Sequence, residues 1–194
     1  MPSTDEPPQN LIESLYQNAQ SIPDTICIHF LKDDAGGVVS NTYSELWLKV
    51  CGFAIAFENA GVAPGDVVLI FLNHHPDMAA CYFGAMQVGA IPSFMPCPSN
   101  KQHSERYWPA HQTLFRRIGP RAIVTNATQN QQMIQHGLGD ESVQFIDVDT
   151  IEAARANLMP SPVAPGRIAL LQHSSGTTSL KKGVALSHEA ILNQ

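Results

Sequence analysis

Residues Leu170–His188 read LLQHSSGTTSLKKGVALSH, and this run decides how the chain is organised. An apolar segment, Ile168 to Leu171, leads into a hydroxyl-rich loop that contains a glycine. Lys181, Lys182 and Gly183 follow, and a short apolar segment then reaches Ser187, a residue suited to capping a helix. Such a loop can wrap a polyphosphate. Glycine removes the Cβ and lets backbone N–H groups converge on anionic oxygens. Ser and Thr hydroxyls add donors without bulk, and a lysine brings a mobile positive charge. Fixed donors aimed at phosphate are what phosphoryl or nucleotidyl transfer demands.

Upstream of the loop, strand and helix patterns alternate. Met1 to Gln9 reads as a loose, proline-rich terminus. Asn10 caps a helix over Leu11 to Gln20 that places Leu11, Leu15 and Ala19 on one face. Thr25–Leu31 and Val38–Val39 read as strands around the turn Asp33–Gly37. Thr42-Tyr43-Ser44-Glu45 is a capping box. Its helix carries Leu46, Val50, Phe53, Ala54 and Phe57 in one stripe and ends at Gly61. Pro64-Gly65 turns into Val67–Leu72, an apolar run expected of a strand covered on both faces. Pro76 fits the first turn of a helix that Gly89 stops.

Strands are then expected over Ile91–Met95, Arg121–Thr125 and Val143–Val148. Helices are expected over Tyr107–Ile118, Ala127–His136 and Thr150–Leu158. Met159–Gly166, with three prolines, is a connector, and Arg167–Gln172 is the strand that delivers the loop. The alternation predicts an α/β fold, a mostly parallel sheet flanked by helices with right-handed crossovers. Ligands in such sheets bind beyond the carboxyl ends of the strands, where the loop after Gln172 belongs.

Composition narrows the class. The 194 residues are 44% hydrophobic and only 14% charged, with a net charge of −6. An average soluble domain carries about 25% charged residues, so much of this surface is either uncharged or covered. No basic stripe runs along the chain, which argues against a nucleic-acid partner. Arg116, Arg117 and Arg121 form one basic knot, read as a solvated helix end. The four cysteines, Cys27, Cys51, Cys81 and Cys97, include no CxxC pair and suit a reducing cytosol. No stretch approaches the roughly 18 apolar residues of a membrane span, and no signal peptide opens the chain. The expectation is a soluble, cytoplasmic protein.

Two phosphate-binding motifs fail. From Gly176 the sixth position is Lys181, so the Walker A spacing is absent, and no GxGxxG occurs. The loop instead resembles that of the adenylate-forming superfamily: AMP-forming acyl-CoA synthetases, adenylation domains of peptide synthetases, fatty-acyl-AMP ligases and luciferases. That pattern is close to [ST]-S-G-[ST]-T-G-x-P-K-G-V followed by Ser-His. Ser174, Ser175, Gly176, Thr177, Thr178, Lys182, Gly183, Val184, Ser187 and His188 fall on it in register. Ser179 stands where the family has glycine, and Lys181 where it has proline. Thr42–Leu46, Gly61–Val68, the stretch from Asn73 through Ile91, and Arg121–Thr125 resemble further landmarks of the family in the same order.

The resemblance implies a fold, the first part of the family's large N-terminal AMP-binding domain. Residues 1–194 would form an incomplete copy of it, with residues 173–183 as the phosphate-binding loop. It implies a reaction in which a carboxylic acid and ATP give acyl-AMP and pyrophosphate. The acyl group then passes to a thiol of CoA or of a phosphopantetheine carrier. Ser174, Ser175, Gly176, Thr177, Thr178, Ser179 and Lys182 would hold the phosphates, and Thr177 would ligate Mg²⁺. In the family the adenine contacts, acyl pocket and catalytic lysine lie farther along than Gln194. The expectation is therefore an N-terminal fragment that needs the rest of its own chain and is inactive alone, with no catalytic residue of its own. The competing expectation is a non-catalytic module that binds a nucleotide or a partner. Pro96-Cys97-Pro98 is similar to a loop of fatty-acyl-AMP ligases and points toward a lipid-like acid and fatty acid metabolism. His74-His75 read as loop residues rather than metal ligands. His188 reads as a helix-start residue, and His173 as a possible ligand contact.

Overall fold

The computed structural model of the chain describes residues 7–32, 36–98, 104–139, 142–173 and 183–194. Helix α1 (Leu11–Ser21) starts where Asn10 accepts a hydrogen bond from the Glu13 N–H. Ile12, Leu15 and Ala19 are its buried face, so Ile12 rather than the expected Leu11 points inward. Strands β1 (Ile26–Leu31) and β2 (Val38–Thr42) form an antiparallel ribbon. Helix α2 (Tyr43–Asn59) opens with the full capping box: Thr42 accepts from the Glu45 N–H and Glu45 from the Thr42 N–H. Its stripe of Leu46, Val50, Phe53, Ala54 and Phe57 is buried together with Trp47. Side chains of this size each contribute about 1.5–3 kcal/mol when fully buried.

A four-stranded parallel sheet follows. It comprises β3 (Val67–Ile70), β4 (Ile91–Phe94), β5 (Ala122–Thr125) and β6 (Gln144–Asp147), in the order β4-β3-β5-β6. The run from Val67 shows why it is apolar throughout. Val68 and Ile70 pack into a core with α1, α2 and α3 (Met78–Gln87), whereas Leu69 and Phe71 face a second core with α4 (Ser104–Ile118) and α5 (Ala127–Gln135). Period-2 alternation thus delivers apolar side chains to both layers. Asn126 caps α5 through the Gln129 N–H. Helix α4 begins three residues before the Tyr107 expected and takes Pro109 inside it.

Two expectations are corrected. Pro76 lies ahead of α3, not in its first turn: Asp77 is the cap position and makes no side-chain cap bond. Thr150–Leu158 is not a helix; a single 3-10 turn at Val148–Thr150 gives way to an irregular strap that bends at Arg155 and Ala156. The strap lies on α2, with the Ala154 N–H on the Leu48 carbonyl and the Leu158 N–H on Cys51 Sγ, and these tertiary bonds replace helical ones. Parallel pairing stops at β6. The last strands, β7 (Ile168–His173) and β8 (Gly183–Ser187), pair antiparallel and lead into α6 (His188–Leu192).

Candidate functional site

The hairpin β7–β8 carries the loop that the sequence singles out. Leu171 pairs with Ala185, Gln172 with Val184, and His173 with Gly183. Residues that pair across an antiparallel ladder lie about 5 Å apart, so the chain leaves at His173 and is recaptured beside it at Gly183. Ser174, Ser175, Gly176, Thr177, Thr178, Ser179 and Lys182, with Lys181, lie between these posts and outside the described residues.

The posts have a defined place. Ser93, buried near the end of β4, meets His173 Nδ1 through its Oγ at 3.0 Å. At the other end Gly89 and Ile91 share a shallow depression with Gly166, Arg167 and Ile168. β7 therefore runs beside β4 in the same direction. His173 and Gly183 stand at the carboxyl edge of the parallel sheet, where α/β folds present their ligand sites. The contact with Ser93 fixes one edge of the His173 ring, a tie that no spacing in the sequence could have indicated.

On the far side of the hairpin Ser187 caps α6, accepting from the Ala190 N–H. His188 is buried, and its Nδ1 accepts from the Leu11 N–H at 3.3 Å. Burial holds its imidazole below the ordinary histidine range, with the Glu13 charge acting weakly the other way. It is a helix-start residue, as expected.

The remaining flagged residues do structural work. His74 stacks on Phe30 and bonds to the Leu31 carbonyl, while His75 meets Asp149 at 3.2 Å. Among the described residues no group of three His, Cys, Asp or Glu side chains could hold a metal. Arg116 and Arg117 are exposed in the last turn of α4, but Arg121 corrects the reading of a solvated knot. Its guanidinium donates to the carbonyls of Gly61, Ala60 and Ser142, so it caps the end of α2. Burial pushes the Cys97 thiol up to about 11, against a hydrogen bond from Gln129, and so disfavours its thiolate. Among the described residues no helix is long and apolar enough to cross a membrane.

Fold and hairpin together define an α/β domain whose β7–β8 hairpin ends at the carboxyl edge of a parallel sheet. The family follows from comparison. The model of the AMP-binding enzyme family matches residues 15–194, and the chain belongs to that family. It is 24% identical over 209 residues to 4-coumarate–CoA ligase 2 of Oryza sativa subsp. japonica, covering 94% of this chain and 34% of that protein. It is 27% identical over 203 residues to a long-chain-fatty-acid–AMP ligase of Mycobacterium marinum, covering 99% and 33%. Among solved structures it resembles fatty acyl-adenylate ligase from L. pneumophila in complex with acyl adenylate and pyrophosphate, with a TM-score of 0.81 at 22% identity over 96% of this chain and 31% of that one. The McyG A-PCP structure complexed with phenylalanyl-adenylate superposes with a TM-score of 0.80 at 20% identity, covering 97% and 30%. The chain spans about a third of the length of these relatives.

Proposed function

We propose that residues 1–194 are the first part of the AMP-binding domain of an ATP-dependent acyl-activating enzyme, with residues 173–183 as its phosphate-binding loop. A carboxylate oxygen of the acid attacks the α-phosphorus of ATP, and the bond to the bridging oxygen breaks as pyrophosphate leaves. A thiol of CoA or of a pantetheine carrier then attacks the acyl carbonyl and displaces AMP. The loop's task belongs to the first step. Backbone N–H groups at Gly176, the hydroxyls of Ser174, Ser175, Thr177, Thr178 and Ser179, and the Lys182 ammonium hold the β- and γ-phosphates while charge builds on the leaving group. The donor set is one of hydroxyls and an ammonium, which fits phosphate oxygens; the hard oxygen of Thr177 suits Mg²⁺. Mg²⁺ when bound neutralises phosphate charge.

The observation that carries this reading is the pair of posts at the carboxyl edge, His173 and Gly183, with SSGTTSLKK strung between them. The family match supports it. Pro96-Cys97-Pro98 supports a lipid-like acid, and the four free thiols suit a reducing, cytoplasmic setting. Because the chain spans about a third of its relatives, we assign turnover to a longer polypeptide that contains these residues and none to the 194 residues alone. A second reading, a nucleotide-binding module without catalysis, is favoured by the two departures Ser179 and Lys181. ATP–pyrophosphate exchange with a panel of acids separates the two. Acid-dependent exchange by a longer chain, lost in Lys182→Ala, supports the enzyme. Nucleotide binding without exchange in that longer chain supports the module, and steady exchange by the 194 residues alone contradicts the assigned inactivity.

A further inference from the structure

The hairpin that carries the loop is a two-stranded ribbon, and such ribbons are marginal unless something holds them. β7 packs beside β4, and the base of the hairpin is tied to the first turn of α1. Asn10, fully buried, uses Oδ1 to cap its own helix and Nδ2 to donate to the Val163 carbonyl at 3.0 Å, in the strap that leads into β7. The next residue, Leu11, donates its N–H to His188 Nδ1, where the chain leaves β8. The two ends of the hairpin also bind each other, with the His188 N–H on the Arg167 carbonyl at 3.2 Å and the Glu189 N–H on the Pro165 carbonyl at 2.9 Å. The turn that grips them belongs to a helix anchored in the core by Ile12, Leu15 and Ala19.

We propose that this turn of α1 is the fixed base of the phosphate loop, and that His188 is a positioning residue that acts through its Nδ1 acceptor. The proposal rests on the phosphate-loop reading above. The Leu11 N–H is one of the orphan donors of a helix start, and a buried donor must be satisfied. To accept there, the ring carries its proton on Nε2 and stays neutral. Glu13 on α1 is the charge that acts on it, with Glu189 on its own helix and Arg167 at the start of β7 both exposed. β8, five residues from Gly183 to Ser187, spans roughly 17 Å between Gly183 and the base. A tilt of only a few degrees at the base therefore moves the loop by about 1 Å, and a displacement of that size costs on the order of 10²-fold in a catalytic site.

The test compares the chain with His188→Phe, His188→Asn and Lys182→Ala, reading amide hydrogen exchange and the binding of inorganic pyrophosphate. In His188→Phe the Leu11 amide and the amides of β7 and β8 exchange about tenfold faster, as expected for one lost buried hydrogen bond, and pyrophosphate binds more weakly. In His188→Asn, whose Oδ1 stands in for Nδ1, both return toward the parent values. Lys182→Ala loses pyrophosphate and keeps the Leu11 amide protected. Unchanged exchange in His188→Phe, or a failure of asparagine to restore what phenylalanine loses, overturns the proposal. A parent chain that binds no pyrophosphate refutes the phosphate-loop reading instead, and the exchange pattern then decides the junction by itself.

Discussion

At Gly52 a hydrogen stands where any other residue would drive a Cβ into the Glu152 carbonyl. Gly84 does the same for α3, whose backbone lies against Phe53 on α2. Two effects compete in Gly52→Ala. Alanine favours the helix by about 1 kcal/mol, whereas forcing atoms into a packed contact costs about 1–3 kcal/mol. The obstacle is a backbone carbonyl with no rotamer to yield, so the second effect wins. We expect Gly52→Ala to lower stability by about 1–2 kcal/mol, read as a lower urea midpoint with unchanged slope. Caps written in one local stretch, such as Thr42 with Glu45, were legible in the sequence. Gly52 and Arg121 were not, because their partners lie far along the chain. The same holds for Ser93, whose partner His173 is 80 residues away.

Among elements, the strap 151–165 shows how tertiary bonds override propensity. Glu152-Ala153-Ala154-Arg155-Ala156 is a good helix sequence, yet it forms no helix and bends at Arg155 and Ala156. Gln87 explains part of this. Buried at the end of α3, it donates Nε2 to the Met159 carbonyl at 2.7 Å and accepts the Ser161 N–H at 3.3 Å on Oε1, as a neighbouring strand would. Gln87→Leu leaves both strap groups without these partners, at a cost of about 2 kcal/mol. Limited proteolysis should then cut between residues 151 and 165 several-fold faster than in the parent chain; equal cutting would show that the strap is held elsewhere. Strand β3 and most of β5 were legible because buried parallel strands are apolar, whereas β4 and β6 mix in polar residues and were read from their alternation with helices. The antiparallel turn from β7 to β8 was not, since Gly183–Ser187 is too short to show a period.

For the molecule as a whole, two cores back to back on one sheet fix the scaffold, and the β7–β8 hairpin, outside that four-stranded sheet, is its periphery. The overall α/β plan was legible from alternation alone. The geometry of residues 174–182 lies outside the described residues, so the site is known by its posts. Acid tests how the periphery is tied down. His188 is held neutral below its ordinary range, so the unfolded chain takes up its proton first as pH falls. The stability this histidine contributes is complete above about pH 6.5 and is lost as pH drops toward its folded value. The urea midpoint should therefore fall more steeply below pH 6.5 in the parent than in His188→Asn, and parallel curves would contradict the buried neutral ring.

The stretch between His173 and Gly183 is proposed to grip the phosphates of a nucleotide through Lys182. Calorimetric titration with MgATP tests it most directly. Saturable binding to the parent chain is expected, competed by pyrophosphate and weakened at least about tenfold in Lys182→Ala, the loss of one charge-assisted contact of about 1.5–3 kcal/mol. Equal ATP affinity in the parent and in Lys182→Ala would contradict it.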